Sequence, residues 1–401
     1  MQLSKRSKSL GTENAFVVLA EVAELEAKGQ KIISFCIGQP DFPSPPNVQE
    51  AGIRAIKEGK HGYTPSAGIA PLRAGIAQYV ARTRGIPVEP SDVVIGAGAK
   101  CFIGYSVQVL TDDGAGDEVL YPNPGYPIYD SLVRAYGAVP VPLQLHEARD
   151  FRFDIADLEK KITPRSRLLI LNYPHNPTGG MLTRKDLEEI AAVVKRHDKL
   201  WVYADEIYGR LLYDGEFASI AAVPGMLERT IVVDGASKTY AMTGWRIGFA
   251  VNRALAPLFT TWVTNTEACA THISQYAALE AFCGPQDEAE RMRKIFHERR
   301  DLIVKLLNDL PGVTCRTPGG AFYAWPNVTE LCRMTGAADS EVLRRRLLRE
   351  AGVAVLADIH FGPRVEGEGQ HIRFSYAASN DMIREGLGKI ADWIKKNRKA
   401  A

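Results

Sequence analysis

Lys238 stands in the run Val233-Asp234-Gly235-Ala236-Ser237-Lys238-Thr239-Tyr240-Ala241-Met242-Thr243-Gly244-Trp245-Arg246-Ile247-Gly248, and three of its side chains suit one chemistry. The β-branched stretch Ile231 to Val233 reads as a buried strand that delivers a Ser-Lys pair into a turn. A lysine so placed is partly desolvated, which lowers its pKa and makes it a nucleophilic amine. Ser237 and Arg246 offer a hydroxyl and a fork of N–H donors suited to a phosphate. An aldehyde cofactor with a phosphate tail uses all three groups. That cofactor is pyridoxal 5′-phosphate (PLP), held as a Schiff base on the lysine. A lone Ser-Lys pair is more often a surface lysine in a strand–turn–strand, so the reading depends on partners elsewhere in the chain.

Four segments supply them. Gly96-Ala97-Gly98-Ala99-Lys100 follows one apolar strand and precedes a helix. Its small residues let backbone N–H groups approach a phosphate at the helix N-terminus. It lacks the Gly-Lys-[Ser/Thr] element of a P-loop and the spacing of a dinucleotide fingerprint. Asn172-Tyr173-Pro174-His175-Asn176-Pro177-Thr178-Gly179-Gly180 presents Asn176 at a strand's C-terminal end, where open α/β sheets bind ligands. In Trp201-Val202-Tyr203-Ala204-Asp205-Glu206-Ile207-Tyr208, an acid ends a buried strand, which is costly unless it is paired. A pyridinium N–H is a good partner, and Asp205 keeps that nitrogen protonated so that the ring draws electrons. A helix-capping aspartate is the competing reading. Last, Arg373 lies in His371-Ile372-Arg373-Phe374-Ser375-Tyr376, where it can clamp a substrate carboxylate or form an edge-strand salt bridge.

These residues need a scaffold. The pattern predicts strands at 93–95, 118–121, 139–143, 168–172, 201–204 and 231–234, with helices at 101–110, 128–136 and 184–196 between some of them. Short apolar strands alternating with helices imply an α/β fold with a mostly parallel sheet covered on both faces. A helix is expected at 14–28, a short strand at 31–37, and an extended crossing over the prolines at 40–46. A long charged helix at 287–310 leads to a smaller α+β region with hairpin-like strands and helices at 340–350 and 381–397. The expected division is 1–45 as an N-terminal arm and part of the small domain, 46–286 as the large domain, and 287–401 as the interdomain helix and C-terminal small domain.

Composition narrows the function classes. A net charge of +2 over 401 residues, with no basic stripe, gives no case for nucleic acid. Lys5, Arg6 and Lys8 are read as a solvated tail. There is no apolar run of membrane-spanning length and no secretory h-region. The six scattered cysteines form no CxxC pair and no histidine pair has helical metal-ligand spacing, so a cytoplasmic, metal-free protein is expected.

The motifs resemble, in order and over nearly the whole chain, the PLP-dependent aminotransferases of fold type I, in the class I/II group that includes bacterial aspartate aminotransferases. The resemblance runs from Gly38-Gln39-Pro40-Asp41-Phe42 through Gly62-Tyr63-Thr64-Pro65, Asn176-Pro177-Thr178-Gly179, Asp205-Glu206-Ile207-Tyr208 and Ser237-Lys238 to Arg373. It implies that Lys238 is the Schiff-base lysine, that Asp205 pairs the pyridine nitrogen, and that Tyr208 and Asn176 hydrogen-bond the phenolic oxygen. It also implies that Tyr126 stacks on the ring, and that Gly98, Ala99, Lys100, Ser237 and Arg246 hold the phosphate. Tyr63 would reach the phosphate of a neighbouring subunit's cofactor, which implies a homodimer with shared active sites. Gly38 and Arg373 would receive the substrate α-carboxylate.

The implied activity is transfer of an amino group from an L-amino acid to a 2-oxo acid. Lys100 suits a distal carboxylate, as in an aspartate/2-oxoglutarate-like pair, or only the phosphate loop. A lyase, replacement enzyme or synthase on the same fold is the alternative. A DNA-binding regulator carrying such a domain is not expected, because about thirty residues before Gly38 are too few for a helix-turn-helix module. Cys101, Tyr173 and Ala236 depart from the family's usual residues. So does Ala357-Asp358-Ile359-His360-Phe361-Gly362, where a Pro-Gly loop is common. Pocket loops set side-chain selectivity, so Asp358-Ile359-His360 is expected to act on the donor side chain.

Overall fold

In a computed structural model, which describes residues 4–398, seven strands form one sheet. Their order is Val93–Gly96, Gly248–Val251, Thr230–Gly235, Trp201–Asp205, Ser166–Asn172, Glu118–Asn123 and Val139–Gln144. Gly248–Val251 runs against its two neighbours, and the other pairings are parallel. The expectation of a mostly parallel sheet therefore holds.

Alternate strand residues enter opposite cores. Val94, Ile231, Val233 and Ala250 pack on one face, and Val93, Ile95, Val232 and Phe249 on the other. Burial on both faces is why these strands read as continuous apolar runs rather than alternating ones.

The predicted helices are present as Asn14–Glu26, Lys100–Leu110, Ile128–Ala135, Arg184–Val194, Asp287–Asn308 and Asn380–Asn397. Ser340–Arg346 is α-helical and continues as a π-helical turn over Leu347–Ala351. Helices at Pro46–Lys57, Ala70–Arg84, Ala256–Thr266 and His272–Cys283 complete the covering layers. The expected extended crossing ends at Pro45. Pro46 opens a helix because a first-turn residue needs no N–H donor.

A second, smaller assembly carries Arg373. Leu356–Ala357, Ile372–Ser375 and Tyr323–Ala324 form an antiparallel sheet with Ile372–Ser375 in the middle. The strand expected at 31–37 shrinks to Ile33–Ser34, because its parallel partner is only Val353–Ala354. Phe35 then continues the contact, donating to Ala354 O at 2.8 Å and accepting from Ser375 N at 2.8 Å. The basic N-terminal cluster is not a free tail: Lys5–Ser9 forms a short helix, and Arg6 pairs with Asp113 at 2.8 Å.

Candidate active site

The parallel strands bring their C-terminal ends to one edge. Asn172 lies opposite Asp205, Asp205 opposite Val233, and Gly248 opposite both Gly235 and Gly96. The Asn loop, the acid, the Ser-Lys turn and the glycine loop therefore open onto one cavity of about 590 Å³. Arg373 and Gly38 close it from the smaller assembly.

Lys238 lies in the helical turn Ala236–Thr239, and its Nζ donates to Gly38 O at 2.5 Å. Burial lowers its pKa to about 8 against the opposing pull of Glu13, with Arg373, Arg246 and Lys100 adding to the fall. Asp205 is 8% exposed, accepts from the Tyr129 hydroxyl at 2.6 Å, and takes a longer bond of 3.4 Å from Ile207 N. Burial raises its pKa to about 6. A carboxylate with so few donors is a ready partner for a cationic N–H.

Both residues are braced from below. Arg84 donates through Nε to Glu206 at 3.0 Å and through Nη2 to Asp234 at 2.5 Å. Glu206 follows Asp205, and Asp234 precedes the Ser-Lys turn, so one buried guanidinium ties the two strand ends together.

The glycine loop packs on Arg246. Gly98 has φ +91°, and a Cβ there would lie 2.2 Å from Arg246 Nη2. Arg246 donates to Ala97 O and Thr243 O at 2.9 Å each. Ala97 N is held by Glu267 at 2.9 Å. Cys101, one of the unusual residues, donates its thiol to Gly98 O at 3.1 Å and so supports the loop.

Arg373 is 4% exposed and sits in the central strand, so the edge-strand salt bridge does not arise. It donates to Asn176 Oδ1 at 2.9 Å and to Cys36 O, and its Nε has no hydrogen-bond partner among the described residues. The guanidinium lies between the rings of Tyr323 (4.5 Å) and Phe361 (4.8 Å). Tyr208 shares a 2.7 Å hydrogen bond with Tyr323. A Cβ at Gly38 would fall 2.0 Å from the Tyr323 hydroxyl, so only glycine admits that ring.

Of the residues expected in the site, Gly38, Ala99, Lys100, Tyr126, Asn176, Asp205, Tyr208, Ser237, Lys238, Arg246 and Arg373 line the cavity. Gly98 lies one residue behind, and Tyr63 stands apart from it, 89% exposed. Three contributors escaped the sequence reading: Glu13, Tyr129 and Tyr323. Tyr129 and Tyr323 look like ordinary core aromatics in sequence. Glu13 is one acid ahead of a helix, and no local signal marks it.

One expectation is overturned. Asp358 accepts from Ser340 Oγ at 2.7 Å and from Arg364 Nε at 3.3 Å, while His360 faces Glu341 at 3.2 Å. Among the described residues, none of Asp358, Ile359 and His360 lines the cavity. The segment's polar groups are committed to the smaller assembly, and only the Phe361 ring reaches toward Arg373.

The residues present fit PLP. The cavity offers a depressed-pKa lysine, a buried acid short of donors, a loop and arginine suited to phosphate, and an arginine with an unpartnered Nε. A mostly parallel sheet bearing these groups at its C-terminal edge defines a fold type I PLP enzyme. Comparisons agree. Residues 30–390 match the family described as aminotransferase class I and II. The chain is 36% identical over 396 residues to an aspartate aminotransferase of Bacillus sp. (strain YM-2), covering 98% of this chain and 99% of that one. It is 37% identical over 385 residues to an aspartate/prephenate aminotransferase of Cereibacter sphaeroides, covering 93% and 94%. The structure of the Rhizobium meliloti aspartate aminotransferase matches with a TM-score of 0.93 at 32% identity over all of both chains. The chain belongs to the class I and II aminotransferase family. It is a PLP-dependent transaminase that transfers an amino group from an amino acid to an oxo acid.

Proposed function

We propose that Lys238 is both the lysine that bonds the cofactor and the group that carries the substrate's Cα proton. The observation that carries this reading is its position: Lys238 lines the same cavity as buried Asp205 and Arg373, and burial lowers its pKa to about 8. Bound PLP supplies an electron sink for negative charge at the substrate Cα. The chain supplies the rest. Arg373 and the Gly38 backbone take the α-carboxylate and so orient the Cα–H bond toward Lys238. Lys238, once displaced, is a neutral amine that accepts the proton, holds it and returns it as an acid. Asp205, held by Tyr129 at 2.6 Å, would pair the cofactor's ring nitrogen. Asn176 gives its carbonyl oxygen to Arg373 and keeps its amide donors for the phenolic oxygen, alongside Tyr208. Tyr126, which lines the cavity, would support the ring face. The Gly98-Ala99-Lys100 backbone, Ser237 and Arg246 hold the phosphate.

The same reading places Lys100 at the side-chain end of the cavity, where an acidic donor such as aspartate would be met. The relatives named aspartate aminotransferase support that donor class. Mixing the PLP form with a panel of amino acids and following conversion to pyridoxamine phosphate by absorbance tests the donor directly. Failure of every acidic donor would exclude it.

We further infer a homodimer in the cytoplasm. Tyr63 is exposed and does not line its own cavity, which supports a loop that serves a partner's site. Six unbonded cysteines fit a reducing compartment. No helix among the described residues is long and apolar enough to cross a membrane. A division at residues 46 and 287 is the matching domain assignment. Pairing of Ile33–Ser34 with Val353–Ala354 supports grouping the N-terminal arm with the C-terminal part.

A further inference from the structure

Among the described residues, Glu13 is the one cavity acid besides Asp205. It directly precedes the helix Asn14–Glu26 in extended backbone, and its side chain makes no cap to that helix. A carboxylate at a helix N-terminus would ordinarily turn to the free N–H groups. This one turns into the cavity. Oε2 accepts from Lys100 Nζ at 3.0 Å and from the Tyr126 hydroxyl at 3.0 Å. Lys100 also lies 5.6 Å from the Tyr126 ring centre, so the three side chains form one cluster.

Among the described residues, four cationic side chains line the cavity: Lys100, Lys238, Arg246 and Arg373. Among the described residues, only Lys100 has a carboxylate within ion-pair distance. The cation available to a substrate side chain is thus the one already neutralised. We propose that Glu13 is a specificity-determining residue whose carboxylate competes with a donor's distal carboxylate for Lys100. It thereby disfavours acidic donors relative to neutral donors of the same length.

The physical argument is charge bookkeeping at short range. A distal carboxylate reaching Lys100 must either displace Glu13 or stand beside it, and like charges at such separations repel. A neutral side chain meets no such penalty. It finds Phe16, whose ring is 59% exposed one helical turn beyond Glu13, together with Ile37 and Ile103. The pair is part-exposed, so solvent screens the effect and a modest factor is expected.

The inference rests on the reading that the Lys100 end receives the donor side chain, and the test separates the two. Aspartate and 2-aminobutyrate have four carbons each and differ in the distal carboxylate. So do the non-reacting acids succinate and butyrate. The PLP-loaded enzyme, Glu13→Gln, Glu13→Ala and Lys100→Ala are compared in the donor half-reaction with the amino acids. Calorimetric titration with the two non-reacting acids is the binding readout. Glu13→Gln should raise the aspartate to 2-aminobutyrate ratio of kcat/KM, and the succinate to butyrate affinity ratio, by roughly three- to five-fold. Glu13→Ala should shift both the same way, and Lys100→Ala should lower both. If the Glu13 variants leave both ratios unchanged or lower while Lys100→Ala lowers them, Glu13 has no such role and the Lys100 reading stands. If no variant moves either ratio, the side-chain end lies elsewhere and both readings fall.

Discussion

Asp205→Asn should stabilise the cofactor-free protein, and only above the pH at which the unfolded chain's carboxyl ionises. The Asp205 carboxyl is 8% exposed, and burial raises its pKa from the ordinary 3.8 to about 6. It therefore binds a proton more tightly in the folded chain than in the unfolded one. The resulting penalty on folding is absent below pH 3.8, grows between 3.8 and about 6, and is complete above that. At 1.36 kcal/mol per pH unit of displacement, the full penalty is roughly 3 kcal/mol. Asparagine keeps the shape and can still accept from the Tyr129 hydroxyl, but it cannot ionise. Urea unfolding of the cofactor-free wild type and variant, at matched protein concentration, should show the variant more stable by roughly 3 kcal/mol at pH 8. At pH 4 the gain should fall to about 0.5 kcal/mol. A variant no more stable at pH 8, or a gain of the same size at both pH values, would refute the buried-charge account. With PLP bound the order should reverse, because the native carboxylate then faces a cationic ring nitrogen and amino transfer needs it.

Other outcomes follow from the same geometry. Borohydride reduction of the PLP-loaded enzyme should fix the cofactor to a peptide containing Lys238, and a label on any other lysine would overturn that assignment. Lys238→Ala should keep its affinity for cofactor phosphate through Ser237 and Arg246, while turnover falls by orders of magnitude. Arg373→Ala should lower kcat/KM for acidic and apolar donors alike, by an amount on the order of 2–5 kcal/mol. A loss confined to one donor class would place Arg373 at the side-chain end instead. Co-refolding Tyr63→Ala with Lys238→Ala should recover part of the activity both lack alone, and a monomer in light scattering at micromolar concentration would end that proposal. Arg84→Met leaves Glu206 and Asp234 buried without their cation. It should lower stability by about 3–5 kcal/mol in melts at pH 8, and by less at pH 5, where the carboxyls can protonate.

The residues legible in sequence are those whose position follows from local rules. Ile231 to Val233 must be a strand because β-branched residues in an unbroken apolar run suit a sheet buried on both faces. The small residues after it force a turn, so Lys238 lands at the strand's end. The same logic puts Gly98, Asn176 and Asp205 at strand ends, and parallel pairing then brings them to one edge. What the order of residues does not encode is which side chains from remote segments share a cavity. The hydroxyl on Asp205 comes from 76 positions away, and the ring beside Tyr208 from 115. Tyr129 and Tyr323 are indistinguishable from core aromatics until the sheets meet. Asp358 and His360 looked like pocket residues, yet their partners Ser340 and Glu341 lie in the helix Ser340–Arg346, which does not line the cavity. Glu13 is the sharpest case. Its charge matters because the residue just ahead of the helix Asn14–Glu26 meets Lys100, the first residue of the helix Lys100–Leu110, at 3.0 Å. Electrostatic energy depends on separation in space, and only the tertiary fold sets that separation.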